Sequence, residues 1–418
     1  MKRREFLKKM GYAGAMAALG SMPKLAWADE KSKLKITDIR LVKTRPKRPY
    51  PDYTPAPGSW GTQSVEVSAP LNIYPEYKPA RSLFEPVPPW VTTVTVEVTT
   101  DKGIKGYGDG GFGGGPIVLG QFKKLMMGRD PFDLERNWDI NWRATEPYGQ
   151  EGVTMNAISA FDNALWDIVG KALGVPIYEL LGGETKPRIP VYCTGNDVEQ
   201  HAEHGFKGVK LAMPFGPPSG YAGQQGNLDL VARARKAVGI DGDVMCDCWM
   251  SWDEPYTVQM AKLFEPHRVK WLEEVLPPYD LEGMGRLRRE IQSTMLVCGE
   301  HVYGRYGFRR LLAAGGAAIW QPDVTWCGGM TELRRIGALA DTYDIPVIPH
   351  AGGLNGASHW TIANVNGPWS ELFMPAPGGP KEVYDIFDET YEITKGPQGL
   401  YMHPPRLPGW GTEFEVVG

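Results

Sequence analysis

What the chain has little of narrows it first. Its 418 residues include only five cysteines (Cys193, Cys246, Cys248, Cys298 and Cys327), an odd number with no paired C-x-x-C spacing. That argues against a disulfide framework and against a cysteine-built zinc site. Cys246 and Cys248 would share one face of a strand, where they make poor bridge partners, so the cysteines read as small buried residues. Positive charge is not in excess: 45 Lys and Arg stand against 49 Asp and Glu, a formal net charge of −4. No basic stripe is left to bind nucleic acid. No apolar run reaches about 18 residues, which excludes a membrane-spanning helix in the mature chain. There is no repeat or low-complexity segment. What is present is 42% hydrophobic residues, 22% charged residues, 51 Gly and 36 Pro, the make-up of a globular chain long enough for two domains.

The N-terminus reads as an address rather than as fold. "MKRREFLKK" gives a basic head with paired Arg3 and Arg4, "MGYAGAMAALG" a short, mildly apolar segment, and "AWA" at Ala26–Ala28 a small-x-small cleavage site. The expectation is a twin-arginine signal over residues 1–28, a partner in the export machinery, and a periplasmic mature protein starting at Asp29.

Beyond it, "LKITDIRLVKT" alternates like a strand, and "WVTTVTVEVTTDKGIKGYGDG" is a β-branched hairpin turning at "TDKG". Helical segments follow near Val118–Met127 and Asp133–Arg143, then a long helix runs from "GVTMNAISAF" to a stop at "LGVP". From Ile189 the pattern changes. Apolar runs ("IPVYCTG", "KGVKLAM", "DVMCDC", "VKWLEE", "MLVCGE", "AIWQPD", "IPVIPH", "SELF") alternate with amphipathic helices. Eight strands with intervening helices predict a parallel β/α barrel. The alternative, a doubly wound open sheet, carries a glycine-rich phosphate loop after its first strand, and "CTGNDVEQ" is not one. The expected domains are an α+β cap over 29–188, the barrel over 189–375 and a tail over 376–418 returning to the cap.

Nearly every barrel strand ends in a residue able to do chemistry: Lys210, Asp247, Glu273, Glu300, Asp323, His350 and Glu371. In a β/α barrel those ends converge on one mouth. Asp247, Glu273 and Glu300 lie on successive strands at spacings of 26 and 27 residues. Three carboxylates held together repel one another and take up protons unless a cation stands among them. An all-oxygen set selects a hard ion, and Mg²⁺ leaves positions open for a substrate. Asp323 and His350, 27 apart, suggest an acid that fixes the tautomer of a basic imidazole.

With "GVKLAMPFGPPSG", "DVMCDCWMSWD", "VKWLEEVLPP", "GEHVYGRYGFRRLL", "QPDVTWCGGMTEL", "IPVIPH" and the tail "RLPGWGTEFEV", the chain resembles the enolase superfamily over roughly Leu34 to Gly418. It is most similar to the mandelate racemase subgroup and, within that, to the L-rhamnonate and related acid-sugar dehydratases. The resemblance implies a modified (β/α)7β barrel under an α+β cap, with Mg²⁺ on Asp247, Glu273 and Glu300. It also implies a catalytic Asp323–His350 dyad faced by Glu371, an acid-sugar substrate and a homo-oligomer. Lys210, His301 and the loop residue Arg81 are the implied substrate contacts. Glu274, one residue beyond Glu273, is expected to face the other way along its strand. Two positions depart from the family pattern. Ala212 stands where many members carry a second strand-two lysine, a feature shared with the rhamnonate dehydratases. Ser59 stands where those enzymes place a loop histidine before a tryptophan, here Trp60.

The implied reaction is removal of the C2 proton of a sugar acid by His350. The same imidazole then protonates the 3-hydroxyl, so water leaves from the same face and a 2-keto-3-deoxy acid forms. Glu371 is expected to be protonated or strongly hydrogen-bonded. Racemisation at C2 is the competing enzyme reading, and needs a base on each face. A periplasmic binding protein without turnover is the competing class. Specificity is expected in the loops Arg45–Leu83 and Pro214–Gly226.

Overall fold

The computed structural model describes residues 34–46, 67–74, 93–352, 356–373, 391–412 and 414–417. The expected signal segment, Ser59 and Arg81 lie outside the described residues. No described helix is long and apolar enough to cross a membrane.

The cap is an antiparallel sheet of β1 (Ile36–Val42), β3 (Thr93–Thr100) and β4 (Lys105–Phe112) in the order β1-β3-β4, with β2 (Thr44–Pro46) outside it. Helical residues 115–126, the helix Leu134–Thr145 and the long helix Val153–Leu173 cover one face. Val94, Val96 and Val98 alternate inward against Phe122, Trp138, Phe161 and Leu165. Strand β4 reads "KGYGDGGF", and its glycines have a packing reason. A Cβ at Gly106, Gly108 or Gly110 would collide with the backbone of the long helix at Ala164, Ala160 and Asn156. Every second strand residue thus meets every fourth helix residue, and only glycine allows that approach.

The barrel strands are β5 (Ile189–Thr194), β6 (Gly208–Ala212), β7 (Asp243–Asp247), β8 (Val269–Glu273) and β9 (Met295–Val297), parallel and in sequence order. Single bridges then link Cys298 to Trp320 and Trp320 to Val347. Strand β10 (Ser370–Phe373) pairs with β5 and closes the circuit. A helix follows each of the first seven positions, which gives the (β/α)7β order. Tyr192, Met245, Trp271, Val297, Ile319 and Ile348 fill the interior. Residues of opposite parity, Cys246, Leu272 and Leu296, pack outward against the helices. All five cysteines are buried thiols outside any disulfide.

The tail makes one contact that the sequence did not suggest. Its hairpin, β11 (Glu392–Gly396) and β12 (Gly399–His403), adds antiparallel to the barrel strand β5 through Tyr401↔Pro190 and Met402↔Ile189. The rest of the tail returns to the cap as expected: Trp410 donates from N to Asp167 Oδ1 and from Nε1 to the Tyr107 and Asn163 carbonyls, and β13 (Phe414–Val416) pairs with β2. The first strand of the barrel offers a pairing edge at its N-terminal end, and the hairpin covers it.

Candidate active site

Strand register places the acids. Ala212, Asp247 and Glu273 are direct neighbours across β6, β7 and β8, and Glu273 pairs with Val297 on β9. Three residues beyond Val297, past Gly299 at φ +151°, the chain delivers Glu300 to the same mouth. One carboxylate oxygen from each of Asp247, Glu273 and Glu300 lies within 4.8 Å of the others, and all three residues are buried. Burial is the largest influence on each, and pushes all three up to about 7. Glu300 Oε2 is buried without a hydrogen bond. A buried all-carboxylate set with one oxygen free of hydrogen bonds fits a hard divalent cation.

Beneath them sits Lys210, 1% exposed. Its Nζ donates to Glu273 Oε1 at 2.5 Å, lies 2.8 Å from Glu371 Oε1 and 3.5 Å from Asp247 Oδ2. This differs from the implied substrate contact: its ammonium is turned to three carboxylates of the protein, as a fixed counter-charge. Glu273 Oε2 also accepts from Trp271 Nε1 at 3.1 Å and from Gln321 Nε2 at 2.7 Å. The sequence reading missed both donors, although each stands two residues before a named acid and so shares its face.

His350 Nδ1 lies 2.6 Å from Asp323 Oδ2, and its Nε2 lies 3.4 Å from Glu300 Oε2. Asp323 Oδ1 accepts the N–H and the hydroxyl of Thr325, each at 2.6 Å. Burial pulls His350 down, but the charge of Glu300 and the bond to Asp323 outweigh it and hold the imidazole at about 10. Glu371 is fully buried. It accepts from the Thr194 hydroxyl, from Lys210 and, at 2.7 Å, from Ala351 N–H. Burial opposes its charge, yet Lys210 and His350 keep it below the usual carboxylate range, so it is strongly hydrogen-bonded rather than protonated.

Glu274 corrects the strand-parity expectation. Its φ of +45° reverses the alternation, and its carboxylate returns to the mouth, where Oε2 lies 2.8 Å from His301 Nδ1. Trp326 stands between the two imidazoles, its ring 5.3 Å from His301 and 5.1 Å from His350.

A barrel mouth with three acids on consecutive strands, an aspartate and a histidine on the next two and an α+β cap defines the enolase class of enzymes. Residues 195–416 match the enolase C-terminal domain-like family, and residues 89–182 match the mandelate racemase / muconate lactonizing enzyme N-terminal domain. The chain belongs to the enolase superfamily, in its mandelate racemase branch. It is 38% identical over 351 residues to the L-rhamnonate dehydratase of Saccharopolyspora erythraea, covering 83% of this chain and 89% of that one. Rhamnonate dehydratase from Gibberella zeae, solved in complex with Mg, superposes with a TM-score of 0.78 at 31% identity, over 91% of this chain and 94% of that one. The 3,6-anhydro-D-galactonate cycloisomerase of Zobellia galactanivorans gives a TM-score of 0.68 at 26% identity, over 91% and 96%.

Proposed function

We propose that this protein is a Mg²⁺-dependent dehydratase of a sugar acid of the L-rhamnonate type, giving a 2-keto-3-deoxy acid. One observation carries the reading. The Asp323–His350 pair presents Nε2 3.4 Å from Glu300 Oε2, so the base stands at the edge of the carboxylate triad. The similarity to L-rhamnonate dehydratases supports the same reaction class.

When bound, Mg²⁺ supplies positive charge to the substrate carboxylate and offsets the acids whose field otherwise keeps His350 protonated. Asp323 accepts a hydrogen bond from Nδ1–H and leaves Nε2 as the basic nitrogen. His350 Nε2 takes the C2 proton, then returns it to the 3-hydroxyl as water leaves from the same face, and the resulting enol tautomerises, its O–H proton lost and C3 protonated, to the 2-keto-3-deoxy acid. Glu371, held by three donors, is a fixed polar wall. His301, oriented by Glu274, offers its ring to a substrate hydroxyl. Racemisation needs a second base, and the second strand supplies none: Ala212 has no functional group, and Lys210 is spent on three acids.

The test is a screen of mono- and di-acid sugars with Mg²⁺, L-rhamnonate among them, detecting 2-keto acids. C2 hydrogen exchange without keto-acid formation would favour the racemase reading, and neither signal would favour a binding protein. The same proposal includes export: Arg3 and Arg4 direct the folded enzyme to the periplasm, with Asp29 as its first residue.

A further inference from the structure

The cap does more than cover the mouth. It grips the turn that carries the acid of the dyad. Asp323 Oδ1 is fixed by the N–H and hydroxyl of Thr325, which directs Oδ2 to His350. That turn is bonded to the cap at two successive carbonyls. Asn163, buried on the long cap helix Val153–Leu173, donates from Nδ2 to the Val324 carbonyl at 3.1 Å. Gly111 N–H, in β4, donates to the Thr325 carbonyl at 3.1 Å. The Asn163 amide has only one workable orientation. Its Nδ2 also donates to the Asp109 carbonyl at 3.1 Å, and its Oδ1 accepts from Met330 N–H at 3.1 Å. A flipped amide would set oxygen against two carbonyls and N–H₂ against a donor.

The neighbouring cap bonds go elsewhere. Asp162 accepts from Thr331 N–H at 2.8 Å and from its hydroxyl at 2.6 Å. Ser159 Oγ accepts from Gly328 N–H at 2.8 Å. These fasten the start of the helix Gly329–Asp341 and not the Asp323 turn. Asn163 shares that hold through Met330 N–H, but of these three side chains it is the one that also bonds the Asp323 turn.

We infer that Asn163 is a positioning residue: its amide, reaching from the cap to Val324, sets the Asp323 turn and through it the direction in which His350 presents Nε2. The inference rests on the dyad reading above. It makes the cap part of the machinery that aligns the base, with the effect on rate rather than on substrate affinity.

The full chain with Mg²⁺ serves for the test, with Asn163→Ala as the perturbation and Asp162→Asn as the neighbour control. The first readout needs no turnover. It is the low-field proton resonance of the His350–Asp323 hydrogen bond, assigned by its loss in Asp323→Asn. In Asn163→Ala that resonance should move or broaden, and kcat with L-rhamnonate should fall by about 10- to 100-fold while KM stays within about twofold, the mark of misplacement rather than lost binding. Asp162→Asn should lower the melting temperature and leave the resonance and kcat as they are. A folded Asn163→Ala variant with unchanged resonance and kcat overturns the inference, as does an Asp162→Asn variant that moves both equally. If Asn163→Ala fails to fold, Asn163→Ser decides by the same criteria. A wild type without such a resonance overturns it outright. A wild type that shows the resonance but leaves L-rhamnonate untouched sinks the substrate reading instead, and the resonance comparison still decides the role of Asn163.

Discussion

Glu300→Gln should make the metal-free protein more stable while ruining it as a metal binder. Burial is the largest influence on the Glu300 carboxyl and lifts it from 4.5 to about 7; Glu274 adds to the rise, and His350, His301 and Lys210 oppose it. Between those two values the folded chain keeps a proton that the unfolded chain has released. Stability is therefore whole at low pH and falls as pH rises through about 7. The full loss amounts to about 3 kcal/mol. Gln keeps the shape and cannot ionise. In EDTA at about pH 8.5 the variant should thus exceed wild type by about 2–3 kcal/mol, and at about pH 4 the gap should close. Added Mg²⁺ should reverse the order. Wild type gains about 2.7 kcal/mol at one hundred times the dissociation constant, whereas the variant, short of one charged ligand, gains little. Urea denaturation followed by circular dichroism, at both pH values and with EDTA or Mg²⁺, reads all four corners. The reasoning fails if Glu300→Gln is the less stable protein in EDTA at high pH, or if Mg²⁺ stabilises it as much as wild type.

Three other outcomes are expected. Lys210→Met leaves three buried acids without their shared cation, and should cost the metal-free protein about 3–5 kcal/mol in the same denaturation assay; an unchanged midpoint would show the ammonium to be dispensable. His350→Asn should keep Mg²⁺ binding by calorimetry but lose dehydration and C2 hydrogen exchange together, by about 10²–10⁴-fold; exchange at the wild-type rate would reveal another base. Replacing Arg3 and Arg4 by Lys should strand the precursor in the cytoplasm by cell fractionation, and undiminished export would refute a twin-arginine route.

The barrel was legible because its runs alternate with helices at regular intervals, and the cap because its hairpin is β-branched and its long helix periodic. The sixth and seventh strands were legible as positions and not as ladders. Pro322, Pro346 and Pro349 flank or interrupt them, proline has no N–H to donate, and the pairing shrinks to single bridges at Trp320 and Val347. The tail hairpin was opaque for another reason. Its partner strand β5 lies some two hundred residues earlier, and local pattern names a strand without naming its neighbour.

At the mouth, alternation carried the reading as far as Glu273 and failed one residue later. Asp247 and Glu273 sit side by side because their strands are in register, and that much follows from spacing. Glu274 should then have faced the helices, as Leu272 does. Its φ of +45° turns it back instead, and Trp249, Met250 and Ala351, just past Asp247 and His350, take positive φ as well. None is glycine, so nothing in the sequence announces them. Such conformations cost about 1–3 kcal/mol each and persist only where their surroundings hold them. Here the holding bonds are visible: Glu274 N–H donates to Val297 O at 3.0 Å, Met250 N–H to Glu274 O at 2.6 Å, and Ala351 N–H to Glu371 at 2.7 Å. The return is geometric. An extended strand can present only alternate residues to the mouth, whereas a left-handed residue after Glu273 lets Glu273 and Glu274 act on the same side, one among the metal-type acids and the other on His301. The site draws more functional groups from eight strands than strict alternation allows, and it does so at the positions where sequence pattern stops being a guide.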